Sequence, residues 1–238
     1  ALRNYGLKDL KVFDAGDLLM PGGDLVASLA VLKAATEKIS RAGIIPVVLG
    51  GDHSIASADV AGIATHRGMG KISMIHFDAH SDLWPDDDYD RIDHGTMFYK
   101  AVKSGLVDPK RSVQIGIRTT TEDYLGVNVI TAREVHEKGT AWAVAKAKEI
   151  VGHASTYVTF DIDALDPAFA PGTGTPVWGG LASWQAAAML RDLAGINMVG
   201  GDVVEVSPPY DTTGATAIAG AHVAYELVCL YHWARTQR

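Results

Sequence analysis

Asp78, His80 and Asp82 stand at alternate positions of His76-Phe77-Asp78-Ala79-His80-Ser81-Asp82, and Asp161 and Asp163 do the same in Thr159-Phe160-Asp161-Ile162-Asp163. In an extended chain alternate side chains project to one side, so each set can point together. Both stretches follow or sit within apolar, β-branched runs of the kind that form buried strands. Buried carboxylates at close quarters repel one another unless cations neutralise them. The pattern therefore predicts two divalent metals.

His53, after Gly50-Gly51-Asp52, completes a set of six ligands: His53, Asp78, His80, Asp82, Asp161 and Asp163. Two nitrogens and four carboxylates suit a pair of metals bridged by one or two carboxylates. A lone structural zinc would use four ligands and favour cysteine, and this chain has only Cys229. An oxygen-rich set with some imidazole suits manganese, with zinc, cobalt or iron as alternatives. Paired metals roughly 3.5–4 Å apart lower the pKa of a shared water towards about 7, which yields a nucleophile at neutral pH. His76 has the same strand parity but lies deeper, and reads as a core histidine or a support for a ligand. Asp52 reads as a turn former. The acidic run Pro85-Asp86-Asp87-Asp88-Tyr89-Asp90 reads as solvated loop, or secondarily as a rim that attracts a cationic substrate tail. Trp84 either anchors that loop or lines a pocket.

Positioning these groups takes an alternation of strands and helices. Strands are predicted at Leu10–Asp14, Pro46–Leu49, Ile72–Phe77, Ser112–Ile117, Val127–Ile130, Tyr157–Ile162 and Met198–Val206. Helices are predicted at Asp24–Arg41 with Asp24 as N-cap, and at Ile55–Thr65, Thr140–Val151, Ser183–Leu193 and Ala215–Arg235. A long loop runs from Phe77 to about Gly95. Alternating β and α segments predict an α/β fold with a mostly parallel sheet covered on both faces. Ligands of such sheets bind beyond the carboxyl ends of the strands. His53, Asp78–Asp82, Asp161–Asp163 and Glu205 all fall there.

The chain has 238 residues, 47% apolar and 21% charged, which suits one globular domain over 1–238. A formal net charge of −7 argues against nucleic acid or an anionic membrane as partner. No run is apolar enough to span a bilayer and no signal peptide is visible. A single cysteine in an apolar helical stretch fits a buried small hydrophobe and a reducing, cytoplasmic setting. The chain opens at Ala1 without a methionine, and the reading allows for a missing upstream segment.

Three segments resemble the motifs of the ureohydrolases, the arginase and agmatinase family. They are Gly50-Gly51-Asp52-His53-Ser54, Phe77-Asp78-Ala79-His80-Ser81-Asp82, and Thr159-Phe160-Asp161-Ile162-Asp163-Ala164-Leu165-Asp166-Pro167. The third continues through Pro171-Gly172-Thr173-Gly174-Thr175-Pro176 to Gly179-Gly180, and the likeness extends from about Val12 to the last helix. Asp93–Tyr99, Val113–Arg118 and Asp202–Pro208 look like agmatinase rather than arginase.

The resemblance implies an arginase-like three-layer α/β/α sandwich with eight parallel strands, two manganese ions per subunit, and a homo-oligomer (trimer or hexamer). By position, it implies that His53, Asp78, Asp82 and Asp161 hold one metal. Asp78, His80, Asp161 and Asp163 hold the other, with Asp78 and Asp161 bridging. Asp82 then also passes on a proton, His94 is the proton shuttle or acid, and Glu205 grips the substrate guanidinium. The family's usual additional N-terminal strand and leading loop are not seen here, and the loop from Leu83 to Ile92 is expected to face the substrate's far end.

The implied activity is hydrolysis of a small cationic guanidino compound to urea and an amine, foremost agmatine to putrescine. Guanidinobutyrate, guanidinopropionate and proclavaminate precursors are alternative substrates. Three other readings compete: a two-metal phosphoesterase, which wants cationic groups the motifs lack; a single-zinc deacylase; and a catalytically silent metal-binding subunit.

Overall fold

The computed structural model describes residues 11–67, 71–88 and 91–236. The elements in chain order are α1 (Leu25–Arg41), β1 (Val47–Leu49), α2 (Ile55–Arg67), β2 (Ser73–Phe77), α3 (Met97–Lys103), β3 (Val113–Ile117), β4 (Asn128–Thr131), α4 (Ala132–Lys138), α5 (Thr140–Val151), β5 (Ser155–Asp161), α6 (Ser183–Asp192), β6 (Asn197–Val204) and α7 (Ala215–Thr236). The strands form one six-stranded sheet, ordered β1-β6-β5-β2-β3-β4, with every pairing parallel.

Parity along the strands sorts the two faces. Ile75, Phe77, Val113, Ile115, Val158, Phe160 and Val203 join the apolar cluster that includes α5, α6 and α7. On the other face Met74, Tyr157 and Val199 pack with Ala56, Val60 and Ile63 of α2 and Phe98 of α3. The helices of this second face lie close together. A Cβ on Gly62 of α2 would collide with Thr36 Oγ1 and the Lys33 backbone carbonyl of α1, so that helix pair needs glycine there. The same parity carries buried polar groups, His76, Gln114, Thr159 and Asp202, onto the α2 face.

Asp24 caps α1 as expected, its carboxylate accepting from Ala27 N at 2.9 Å. Two expectations are corrected. Lys11–Asp14 form no strand: Val12 and Phe13 are exposed and unpaired, and Leu10 lies outside the described residues. Alternating apolar residues give strand propensity, but a strand exists only where an edge pairs with it. The eight strands implied by the resemblance are six in this sheet among the described residues. Two short helices, α3 and α4, were not anticipated. The second begins with a capping box, Thr131 with Glu134, which is legible as Thr131-Ala132-Arg133-Glu134.

Candidate metal centre

The carboxyl ends of β1, β2, β5 and β6 converge. Gly50 and Gly51 carry φ of +76° and +80°, a left-handed turn that side chains resist. That turn is zipped to the end of β6: Gly50 N donates to Val203 O at 2.9 Å and Glu205 N to Gly51 O at 3.0 Å. His53 thereby lies beside Glu205, its backbone N–H donating to Glu205 Oε1 at 2.8 Å. Asp52 closes the turn by accepting from Ser54 N at 2.9 Å. Beyond β5 a single 3-10 turn, Ile162–Ala164, brings Asp163 round, with its N–H donating to Asp161 Oδ1 at 2.8 Å.

Two donor sets share Asp78. His53 Nδ1 stands 3.1 Å from Asp78 Oδ2, 3.0 Å from Asp82 Oδ2 and 3.3 Å from Asp161 Oδ2. His80 Nδ1 stands 3.3 Å from Asp78 Oδ1 and 3.0 Å from Asp163 Oδ2. All six predicted ligands meet here, and all but His80 are buried. His76 is close by, but both its nitrogens are engaged. Gln114 Nε2 donates to its Nδ1 at 3.0 Å, so Nε2 carries the proton to Asp78 Oδ2 at 2.6 Å. It orients a ligand instead of serving as one.

Hydrogen bonding at His53 tests whether a cation fits. Thr159 Oγ1 donates to Asp202 Oδ1 at 2.6 Å, so it accepts from His53 Nε2 at 2.8 Å. Nε2 therefore carries a proton, and Nδ1 is aimed at three carboxylate oxygens. Burial opposes a charged His53, yet hydrogen bonds to Asp161, Asp78 and Asp82 raise it well above its usual value, so a second proton sits on Nδ1 until a divalent cation takes its place.

The proton affinities agree. Burial, then the charges of Asp163 and Asp78, push the Asp161 carboxyl well above its usual range. Burial and Asp78 raise Asp163 to about 6. Burial opposes a charged His80, yet hydrogen bonds to Asp163 and Asp78 lift it to about 11. The cluster captures positive charge as protons where no metal supplies it.

At the rim, His94 Nδ1 lies 3.0 Å from Glu205 Oε1, with the imidazole half exposed. Asp82 and Glu205 adopt φ of 53° and 62°, rare for non-glycine residues. Such strain costs about 1–3 kcal/mol per residue and marks groups held in place for a purpose. The acidic loop is tied back onto α3. Asp86 pairs with Lys100 at 3.2 Å, and Tyr99 Oη donates to Asp87 Oδ1 at 2.9 Å. Trp84 is half exposed beside His94, its backbone N donating to Gly95 O at 3.1 Å.

The sequence profile of the arginase family matches residues 2–229. The chain belongs to the arginase family. It is 47% identical over 223 residues to an agmatinase from Chromobacterium violaceum, spanning 94% of this chain and 69% of that protein. An agmatinase from Proteus mirabilis is 48% identical over 93% of this chain and 71% of its own length. Among solved structures, a hypothetical agmatinase from Burkholderia thailandensis superposes with a TM-score of 0.94 at 49% identity, covering 96% of this chain and 72% of the other. The proclavaminate amidino hydrolase of Streptomyces clavuligerus gives 0.90 at 38% identity, over 98% and 80%.

This arginase-family centre also rests on groups that spacing alone did not reveal. Gln114 orients His76 and donates to Ser81 O at 2.6 Å. Arg118 is a half-buried clamp, its guanidinium donating to Asp163 O at 2.6 Å and Val177 O at 2.8 Å. Gly116, at φ +103°, lets the Asp78 backbone approach, since a Cβ there would meet Asp78 O at 2.9 Å. Gly116→Ala is expected to lower stability by about 2–4 kcal/mol through backbone strain and overpacking. A thermal melt would show a Tm drop of roughly 5–15 °C, and an unchanged melt would contradict the close approach.

Proposed function

We propose that this protein is a dinuclear manganese hydrolase that cleaves agmatine to putrescine and urea. One observation carries the reading: two imidazole nitrogens and four carboxylates face one another across a shared Asp78, next to the strained Glu205 and His94. Supporting it, the relatives at 47–48% identity are agmatinases.

His53, Asp78, Asp82 and Asp161 would hold one Mn2+, and Asp78, His80, Asp161 and Asp163 the other. Bound there, the paired ions supply a water ionised at neutral pH. The protein side chains do the rest. Glu205 Oε1 already accepts from His53 N–H and lies against His94, so Oε2 is left to accept from the substrate guanidinium. That contact orients the planar group with its carbon towards the shared carboxylates. Breaking the C–N bond to the alkyl chain requires a proton on the departing nitrogen. Burial disfavours the charged form of His94, but its Glu205 hydrogen bond and the nearby carboxylates outweigh this and raise its pKa, so it can hold that proton. Asp82, its carboxyl raised by burial and by Asp78, is the second carrier.

An amine tail is favoured over a carboxylate tail. Arg91 and Lys100, the cations of the rim segment, are paired with Asp93 and Asp86, so the segment offers little net positive charge to an anionic substrate end. The proclavaminate enzyme likeness keeps guanidino acids as the second reading. Among the described residues no helix is long and apolar enough to cross a membrane. We place the protein in the cytoplasm as a trimer or hexamer, which light scattering on the full chain would test.

A urea-release panel with Mn2+ is the decisive assay. Agmatine is expected to exceed guanidinobutyrate, guanidinopropionate and arginine in kcat/KM by about 10²-fold or more, the margin expected when a site leaves a charged substrate end unpaired. Preference for a guanidino acid would overturn the substrate assignment. No urea from any of them would favour the silent metal-binding subunit.

A further inference from the structure

Behind His53, on the α2 face of the sheet, runs a chain of polar groups that the proposed chemistry does not touch. His53 Nε2 meets Thr159 Oγ1 at 2.8 Å, and Thr159 Oγ1 meets Asp202 Oδ1 at 2.6 Å. Asp202 Oδ2 meets Tyr157 Oη at 2.8 Å, and Tyr157 Oη lies 3.1 Å from Asp59 Oδ2 on α2. Each of these side chains is at most 1% exposed, so bulk solvent does not reach them.

Proton counting decides the direction. Tyr157 has one hydroxyl proton and two carboxyl groups against it. Asp202 accepts from Thr159, from Tyr157 and from Phe160 N at 3.3 Å. Asp59 has no other partner, and its Oδ1 is buried with none at all. An ionised carboxylate left so short of donors is far costlier than the neutral acid. The anion therefore belongs on Asp202, the phenol proton points to it, and Asp59 must bring a proton of its own to the phenol oxygen.

We propose that Asp59 is a buried neutral acid that ends a one-way hydrogen-bond chain through Tyr157, Asp202 and Thr159, which fixes the His53 ring by its Nε2–H and keeps Nδ1 facing the carboxylates that would share a metal. Donation runs inward from both ends, and Asp202 is the sole charge. Burial raises both carboxyls; for Asp59 the charge of Asp202 adds to it, whereas at Asp202 it is opposed by His53 and by hydrogen bonds from Thr159, Tyr157 and Phe160 N–H. Asp59 and Asp202 are positioning residues, and neither touches substrate. The consequence at His53 rests on the metal-centre reading, whereas the neutrality of Asp59 does not.

Two measurements test it. The infrared difference between the wild-type protein and Asp59→Asn at neutral pH is expected to show the carbonyl stretch of a neutral carboxylic acid in the wild type. Carboxylate bands in its place would overturn the proposal. In calorimetric titration with Mn2+, Asp202→Asn and Thr159→Val are expected to weaken binding by about 10–100-fold, the range for groups that orient metal ligands. Thr159→Ser, which keeps the hydroxyl, and Asp59→Asn, an isostere of the neutral acid, are expected to retain wild-type affinity. Asp202→Asn binding as tightly as the wild type, with far-ultraviolet dichroism confirming both are folded, would refute the chain's role. A wild-type protein that takes up no Mn2+ would defeat the metal-centre reading and, with it, the consequence drawn at His53. The infrared result would still decide Asp59.

Discussion

Asp161→Asn is expected to abolish activity together with stabilisation by metal. Asp161 Oδ1 accepts from Asp163 N–H, and an asparagine oxygen preserves that bond. Its Oδ2 faces His53 Nδ1 at 3.3 Å, inside the donor set that would hold a cation. The same change removes a carboxylate from both proposed metal sites. The wild type should gain about 2.7 kcal/mol from Mn2+ at a hundred times its Kd, and the variant little or nothing. Urea release should fall by about 10⁴-fold, because ionised water at neutral pH depends on the paired metals. Thermal melts with and without Mn2+, alongside urea assays, check both halves. A variant that keeps its stabilisation by Mn2+, or that keeps its turnover, would show that Asp161 is not placed as described.

Glu205→Gln separates substrate capture from metal binding. The Glu205 carboxylate hydrogen-bonds the His53 backbone N–H and His94 and is not one of the six ligand groups. Two Mn2+ per chain should therefore remain. The glutamine oxygen can still accept from His53 N–H, which leaves the amide N–H groups in the position that should accept from a guanidinium. Donor then faces donor. Loss of a hydrogen bond to a charged group costs about 1.5–3 kcal/mol, so kcat/KM for agmatine should drop by about 10–100-fold or more, chiefly through KM. Metal analysis and steady-state kinetics on one preparation would show it. Unchanged kinetics would remove Glu205 from the substrate site, and lost metal would move it into the metal centre.

Asp78, His80, Asp82, Asp161 and Asp163 were legible from the two-residue repeat of a strand, and His53 and Glu205 from their places at strand ends, whereas His94 was legible only through the resemblance to the ureohydrolases. Capping made α1 readable through Asp24, and α4 carried an equivalent signal in Thr131 and Glu134. Helix α3 is seven residues long with no side-chain cap, too brief for periodicity to reveal. The segment at Lys11–Asp14 misled for the opposite reason, since it has the pattern of a strand and no pairing edge.

Local chemistry thus determined which residues could bind metal and roughly where along the chain strands would present them, because alternation and strand termination are properties of a few neighbouring residues. Only the folded arrangement decided that His76 is spent on Gln114 and Asp78, that one Glu205 oxygen is taken by the His53 backbone and His94, and that Asp59 lies against Tyr157 and Asp202. Those facts depend on which groups from distant segments come within about 3 Å, and hydrogen bonding at that range is set by strand order and register, which no stretch of sequence carries alone.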